Sequence, residues 1–318
     1  MSAPAARIAA TQWRQAAWIT LGAAALYLAL RALPTGTNLH QLDFRVTGTG
    51  ALEMCDPANP QFVPVVAARS PVAMTVAPQP GGGDNHFLVR LATSSGKPIG
   101  PAELMEVHTG RLHLLIVDDT LGDYQHVHPE PTANPGEWSF AFAPTRATVY
   151  RVFADFTPIV TGRSLYASAD ITAVATTLQA TRASPARAST EFGGNTAPQP
   201  SWESERDGLH FVLTPSAQPL RAGQANDLTF TVSRSDGAPV ALEPVMGAFA
   251  HLVAFDTERS GFAHLHPNQS NSLAPSDTTR RRLAFKLTLP KAGRYVIWAQ
   301  VRPGGRETFV PFWFEVMP

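Results

Sequence analysis

Short apolar runs separated by turn residues dominate this chain from about residue 72 onward. Runs of roughly four to eight residues rich in Val, Ile, Phe, Tyr and Trp, bounded by Gly, Pro, Asp and Asn, are typical of β-strands. No long stretch after residue 33 has a helical period. The pattern predicts an all-β fold with strands at Val72–Val76, Phe87–Leu91, Leu112–Val117, Trp138–Phe142, Tyr150–Phe156, Ala169–Val174, His210–Thr214, Asp227–Val232, Ala250–Phe255, Leu283–Leu287, Tyr295–Val301 and Phe309–Val316.

The second half of the chain repeats the order of the first. Leu91–Pro98 corresponds to Val232–Pro239, and Tyr150–Pro158 corresponds to Tyr295–Pro303. A shared order of anchors is what duplication of one fold leaves behind. About seven short strands per ~100 residues is typical of an immunoglobulin-like sandwich, so we expect two tandem Ig-like β-sandwich domains.

The N-terminal region has a different pattern. The stretch from Gln15 to Leu30 is uncharged and mostly apolar, and Arg14 and Arg31 bound it. It predicts a transmembrane helix or a signal sequence at residues 15–33. Because no Ala-X-Ala cleavage pattern follows, an uncleaved anchor is favoured over a cleaved signal; a buried globular helix is the third alternative. Both of the first two interpretations place most of the chain outside the cytoplasm. The favoured anchor places the protein at the cell inner membrane, with most of the chain periplasmic or otherwise extracytoplasmic.

The composition shifts divide the chain into six parts. The segment after residue 176 is rich in Ala, Ser, Thr, Pro and Gly and lacks apolar periodicity, which indicates a linker. The predicted parts are a cytoplasmic N-terminus at 1–14, the helix at 15–33, an approach segment at 34–65, domain A at 66–176, the linker at 177–206 and domain B at 207–318.

Composition excludes several classes of function. The 25 basic and 25 acidic residues balance, so the one-sided basic surface of a nucleic-acid-binding protein is not expected. Cys55 is the sole cysteine, which rules out an internal disulfide and a multi-thiolate cluster. The chain lacks a Gly-X-Ser-X-Gly, a phosphate-binding glycine loop and a His-Glu-X-X-His. We therefore do not expect an enzyme.

Histidine carries the candidate chemistry. Domain A has His113 and, thirteen positions later, His126-Val-His128-Pro; domain B repeats this as His251 and His264-Leu-His266-Pro. Six of the ten histidines occupy these matched positions. Imidazole is a common ligand for transition metals, so the repeat predicts two related metal sites.

Strand geometry makes the spacing informative. A hairpin that turns at residues 118–121 would place His113 opposite His126, where Cβ atoms lie ~5 Å apart. His128, two residues on, points to the same face as His126. In domain B, a turn at residues 256–259 would pair His251 with His264. Each hairpin would then present three imidazoles to one ion.

The position five residues before each leading histidine differs between the domains. It is His108 in domain A and Met246 in domain B. Thioethers favour Cu(I), whereas imidazoles also suit Cu(II) and zinc, so copper is the favoured ion and zinc the alternative. The predicted ligands are His108, His113, His126, His128, Met246, His251, His264 and His266. The alternatives are that these histidines are structural, that Met246 fills core space, and that Cys55 is a further soft ligand.

The motifs resemble those of a known group of proteins. The segments from His108 to Glu130, Tyr150 to Phe156, Gly247 to Val253 and Phe262 to Pro267 are similar to bacterial exported YtkA-like proteins of immunoglobulin fold. Those proteins are associated with heavy-metal handling, especially of copper. The resemblance covers roughly residues 72–174 and 210–317. It implies a β-sandwich, an extracytoplasmic location and copper as the ion.

Together these patterns predict a membrane-anchored metal-binding protein that buffers or delivers copper, or confers resistance to it. Its partners would be the metal ion, the membrane through the N-terminal helix, and a membrane or periplasmic protein, with no nucleic acid. The alternative is a non-metal protein-interaction or assembly module with structural histidines.

Overall fold

The computed structural model describes residues 5–32, 44–46, 52–54, 62–66, 70–175, 199–234, 236, 238, 240–267 and 282–318. The chain divides into two units, Met1–Leu42 and Asp43–Pro318, and each is described by itself. Cys55 lies outside the described residues, as does most of the predicted linker.

The first unit contains one helix. Helix α1 covers Ala5–Ala32 and includes nearly all of the helix predicted at residues 15–33. Its alanine and leucine content explains the helix, because both residues have high helix propensity. In the part of the chain that the structure describes, no helix combines the length and apolar character that crossing a bilayer requires.

The second unit begins with a two-stranded antiparallel sheet and continues with domain A. Domain A is a sandwich of two four-stranded antiparallel sheets, in the orders β3-β4-β8-β7 and β10-β9-β5-β6. The strands are β1 (Phe44–Val46), β2 (Leu52–Met54), β3 (Val72–Pro78), β4 (His86–Thr93), β5 (His113–Asp118), β6 (Tyr124–Val127), β7 (Glu130–Pro131), β8 (Glu137–Ala141), β9 (Val149–Phe156) and β10 (Leu165–Thr172).

Domain B repeats this architecture. One sheet has the order β11-β12-β14-β18; the other has the order β13-β20-β19-β16-β17, with β15 paired to β19. The strands are β11 (Glu203–Arg206), β12 (Leu209–Pro215), β13 (Leu220–Arg221), β14 (Ala225–Arg234), β15 (Leu242–Glu243), β16 (Ala250–Asp256), β17 (Phe262–Leu265), β18 (Leu283–Thr288), β19 (Gly293–Pro303) and β20 (Thr308–Met317). The prediction of two tandem β-sandwiches is confirmed, although β11 occupies the last residues of the predicted linker.

Each sandwich has its own core, and a third core lies between the sandwiches. In β5, Leu114 and Ile116 point into domain A. Leu115 and Val117, on the opposite face of β5, belong to a cluster that also contains residues of domain B. Every residue of β5 and of β16 is buried. The two histidine-bearing sheets therefore pack against each other through their outer faces.

Aromatic side chains fill this interdomain cluster. Phe153 of domain A stacks on Phe255 of domain B with ring centroids 5.9 Å apart, and Tyr124 lies 5.5 Å from Phe255. Trp298 donates its indole N–H to the Leu121 carbonyl across the interface, at 3.2 Å. Burial of such side chains stabilises by roughly 1.5–3 kcal/mol each, so the relative position of the sandwiches is set by a packed apolar surface.

Part of the predicted approach segment joins this interface. Val63 bridges to Phe262 of β17, and Val65 is buried in the interdomain cluster. A Cβ at Gly261 would lie 1.8 Å from the Val63 carbonyl oxygen. Only glycine therefore allows the chain at 62–66 to lie along β17.

Candidate metal centre

Both histidine hairpins form, but their register differs from the prediction by two residues. His126 lies opposite Leu115 rather than His113, and His264 lies opposite Val253 rather than His251. The reason is the turns: β5 ends at Asp118 and β6 begins only at Tyr124. Asp118 accepts a backbone N–H from Asp123 at 2.9 Å and holds this longer connection. Because a shift of two residues preserves the face of a strand, the three imidazoles of each domain still lie on one side.

The leading histidine of each domain is fixed by a backbone carbonyl. His113 Nε2 lies 2.9 Å from the Val107 oxygen, and His251 Nε2 lies 2.9 Å from the Val245 oxygen. A carbonyl only accepts hydrogen bonds, so Nε2 carries the proton in both rings. The other nitrogen, Nδ1, therefore presents a lone pair to the neighbouring histidines.

In domain A, three ring nitrogens meet around this lone pair. His113 Nδ1 lies 3.2 Å from His126 Nε2 and 2.9 Å from His128 Nε2. His126 Nδ1 lies 3.0 Å from Gln300 Oε1 of domain B. The Gln300 amide nitrogen contacts the Glu307 carboxylate, which requires a donor, so Oε1 accepts from His126 and His126 Nε2 is left unprotonated.

Domain B repeats the arrangement with a carboxylate in place of the amide. His251 Nδ1 lies 3.3 Å from His264 Nε2. His264 Nδ1 lies 3.2 Å from Asp155 Oδ2 of domain A, and a carboxylate accepts the Nδ1 proton. His266 Nε2 is buried and has no hydrogen-bond partner among the described residues. His264 Nε2 and His251 Nδ1 thus face each other as two lone pairs.

In each domain, the ring nitrogens of three histidines lie close enough together to hold one metal ion. The ligand atoms of His113, His126 and His128, and those of His251, His264 and His266, lie within 4.8 Å of one another in each set. Two facing lone pairs repel unless a cation lies between them. The six histidines predicted as primary ligands are therefore brought together as two triads with unprotonated nitrogens turned inward.

Burial keeps these imidazoles neutral. Desolvation, opposed by Asp155, lowers the pKa of His113 to about 4. Desolvation, together with the nearby His264, lowers the pKa of His126, His251 and His266 well below 6.5. Metal ligation requires the neutral ring, so these four imidazoles are in their ligating form at neutral pH.

The two triads are neighbours across the interdomain interface. The His126 ring centroid lies 5.2 Å from that of His264 and 5.8 Å from that of His251. His113 and His264 are 6.1 Å apart. The sequence predicted two separate sites, and the structure places the triads side by side.

The two residues at the fifth position before the leading histidines lie differently from the prediction. His108 of domain A stacks on His266 of domain B with centroids 3.8 Å apart, and so lies at the other domain's triad. Met246 of domain B lies with its sulfur 4.0 Å from Gln300 Nε2, next to the residue that contacts His126. Neither belongs to the three-histidine sets.

A strained turn presents His108. His108 has φ 48° and Thr109 has φ 64°, with Val107 and Gly110 bridged on either side. The matching turn in domain B has Met246 at φ 49° and Gly247 at φ 77°. Left-handed non-glycine residues cost about 1–3 kcal/mol and persist where the surroundings hold them. Here the turn supplies the Val107 carbonyl to His113 and the His108 ring to His266.

A family model described as a domain of unknown function (DUF8832) matches residues 72–174 and 204–318. The chain belongs to the DUF8832 family. The two matches coincide with the two sandwiches, so this DUF8832 protein carries the family's domain twice. No curated protein matches it.

Solved structures similar to the DUF8832 chain are distant. The match to a putative lipoprotein from Bacillus anthracis has 14% sequence identity and a TM-score of 0.24, and it covers 37% of this chain and 85% of the lipoprotein chain. Fibronectin(III)-like modules of Clostridium thermocellum CbhA are 9% identical, with 77% and 93% covered and a TM-score of 0.18. The chicken interferon gamma receptor alpha chain is 10% identical, with 79% and 100% covered and a TM-score of 0.21. At these TM-scores the similarities carry no functional information.

Sequence reasoning missed the polar residues that orient the histidines. Asp155 and Gln300 occupy matched positions, because each follows its domain's aligned tyrosine, Tyr150 or Tyr295, by five residues. Each also pairs with the leading histidine of its own domain on the adjacent strand. A polar residue at the same position of two largely apolar strands was the available signal.

Proposed function

We propose that this protein binds transition-metal ions at the two histidine triads, with copper as the ion. One observation carries the proposal. In each domain, two imidazole nitrogens lie 3.2–3.3 Å apart with their lone pairs facing each other. Each of these nitrogens is unprotonated because the other nitrogen of its own ring carries the proton. A buried arrangement of this kind is unfavourable until a cation occupies it. A histidine that binds metal through one ring nitrogen usually donates the proton on its other ring nitrogen to a hydrogen-bond acceptor.

The donor set favours copper or zinc over harder ions. All six primary ligands are imidazoles, which suit Cu(II) and zinc, and carboxylate oxygen is absent from both triads. The resemblance to YtkA-like proteins selects copper between the two. We propose binding, with buffering, delivery or resistance as its role.

The proposed place of action is outside the cytoplasm, where a membrane or periplasmic protein would exchange metal with the site. The support is the N-terminal helix, whose large apolar side chains Trp18, Ile19 and Leu21 are 61–74% exposed. Exposed apolar helices at the start of a chain are typical of export signals and anchors. A reporter fused after residue 318 and assayed for periplasmic activity tests the location.

The test of metal binding is a titration of the purified 318-residue chain with Cu(II), Cu(I) and Zn(II), with metal analysis of unsupplemented protein. We expect two equivalents per chain. A His126→Gln/His128→Gln pair should remove one equivalent, and a His264→Gln/His266→Gln pair should remove the other. These pairs leave His113 and His251 in place, so the bonds to the backbone carbonyls remain.

Circular dichroism and thermal unfolding supply the control, because each pair must keep the β-fold. A chain that binds no metal while both pairs stay folded contradicts the proposal. That result would favour the alternative function, a protein-interaction module in which the histidines are structural.

A further inference from the structure

The residues that orient each triad come from the opposite domain. Asp155, on β9 of domain A, accepts from His264 of domain B at 3.2 Å. Gln300, on β19 of domain B, accepts from His126 of domain A at 3.0 Å. The two contacts are related by the internal repeat, because Asp155 and Gln300 are matched positions.

The turns that precede the leading histidines also contact the opposite domain. His108 of domain A stacks on His266 of domain B, and its ring lies 6.0 Å from that of His251. A Cβ on Gly247 of domain B would lie 3.8 Å from Cα of His108, so the two matched turns touch. Each triad is thus completed by side chains that its own domain does not supply.

The distance between the triads is short on the scale of a metal site. With His126 and His264 ring centroids 5.2 Å apart, two ions held by the triads would be neighbours and would share the interdomain cluster as their surroundings. Apolar packing of Leu115 and Val253 lies immediately beyond the histidines on the same faces. The sandwiches are therefore held at the separation that brings the triads together.

We propose that the triads form one two-ion centre in which each domain supplies the three ligands of one ion and the polar residue that orients the middle histidine of the other. This inference rests on the proposed metal-binding function. It goes beyond that function because it makes the affinity of each domain's ion depend on a residue of the other domain. Asp155 and Gln300 act here as positioning residues, since neither belongs to a triad.

The residue that orients the triad differs between the two domains, and this determines which ion each substitution should weaken. A carboxylate accepts from His264 in the domain B triad, whereas a neutral amide accepts from His126 in the domain A triad. Loss of such a partner weakens metal binding by roughly 10- to 100-fold. Asp155→Ala should therefore weaken the ion of domain B more than that of domain A, where the carboxylate acts on His113 without a hydrogen bond to a triad ring, and Gln300→Ala should weaken mainly the ion of domain A.

The first experiment measures Cu(II) affinity in the two backgrounds that keep a single triad. In the His126→Gln/His128→Gln chain, which keeps only the domain B triad, Asp155→Ala should lower affinity and Asp155→Asn should partly restore it, because the amide oxygen still accepts. Asp84→Asn, on the exposed turn before β4, is the matched control and should have no effect. If Asp155→Ala has no effect there, or acts equally on both triads, the crossed arrangement is wrong.

The second experiment uses electron paramagnetic resonance of the unmodified chain loaded with two Cu(II). Neighbouring ions should give a magnetically coupled spectrum, and each single-triad chain should give the signal of an isolated ion. Two equivalents with additive, isolated signals would overturn the two-ion centre while leaving metal binding intact, and so would saturation at one equivalent. No binding at all would instead contradict the proposed function.

Discussion

The two triads have the same fold positions but differ in how well they are satisfied without metal. In domain A, His128 Nε2 lies 2.9 Å from His113 Nδ1 and can donate a proton to it. In domain B, no such donor exists among the described residues, because His266 Nε2 has no partner. The domain B triad therefore has more unsatisfied nitrogen to gain from an ion.

The surroundings of the triads extend the difference. A carboxylate faces the domain B triad and an amide faces that of domain A. Duplication of one sandwich has thus given two sites of equal geometry and unequal environment, and we expect domain B to take the first ion.

The largest expected effect is an acid-induced loss of stability in the metal-free protein. The pKa of His113 is about 4 in the folded chain and near 6.5 when unfolded. Between these values the unfolded chain binds more protons, so stability is highest above pH 6.5 and falls as the pH drops towards 4. His113 alone accounts for about 3 kcal/mol, and His126, His251 and His266 act in the same direction.

Urea unfolding at pH 7.5, 6.5, 5.5 and 4.5 measures this dependence. Both the His126→Gln/His128→Gln pair and the His264→Gln/His266→Gln pair should flatten the curve, because each removes imidazoles whose pKa is lowered by burial in the folded chain. A stability that does not change between pH 7.5 and 4.5 would show that the imidazoles are not buried as neutral groups.

The triads could be predicted from the sequence because an error of two residues in strand register leaves each side chain on the same face of its strand. His113, Leu115 and Val117 share a face whichever residue pairs with His126. The spacing of thirteen residues and the His-X-His motif therefore sufficed, even though the turn after Asp118 is longer than predicted. Among the described residues, the twelve strands of five or more residues were likewise predictable from apolar runs, whereas the strands of two to four residues were not among the predicted runs.

The packing of the two sandwiches against each other could not be predicted from the sequence. The run from Leu114 to Val117 is apolar on both faces, which indicates a strand covered on both sides, but a pattern does not identify what covers the second face. The covering surface contains Phe255 and Trp298, more than 130 residues away. The crossed contacts of Asp155 and Gln300 depend on that docking and could not be derived before it.

The next effect concerns Gly110, which makes room for the domain A triad. A Cβ at this position would lie 2.9 Å from two atoms of the His128 ring, whereas domain B has Ala248 at the matched position. Gly110→Ala should displace His128 and weaken the domain A ion roughly 10-fold or more, the scale on which misoriented ligands lose affinity. Isothermal titration with Cu(II) in the His264→Gln/His266→Gln background measures it.

Gly100→Ala is the matched control for this change. Its Cβ would lie 3.5 Å from Glu103 Oε2, an ordinary contact, and its φ of −108° suits alanine. An unchanged affinity in Gly110→Ala would mean that His128 is not a ligand.

A smaller effect is expected from the two turn side chains. His108→Ala should weaken the domain B ion by a few-fold, since the ring stacks on His266 and not on the domain A triad. Met246→Leu keeps the volume of the matched side chain and should leave the domain B ion unchanged. Titration of the single-triad chains distinguishes the two. A His108 effect confined to domain A would restore the assignment made from sequence spacing.

The smallest effect separates backbone strain from metal chemistry in the same turns. Thr109 is β-branched at φ 64°, where domain B has Gly247 at φ 77°. Thr109→Gly should stabilise the metal-free protein by up to about 1 kcal/mol, because relief of left-handed strain of about 1–2 kcal/mol exceeds the entropic cost of glycine. Gly247→Ala should destabilise it by about 1–2 kcal/mol, since its new Cβ meets Thr109 only at an ordinary 3.8 Å and the cost is conformational. Urea unfolding gives both values. If Thr109→Gly destabilises the chain, contacts of the threonine side chain hold the turn, and strain is not what distinguishes the two domains there.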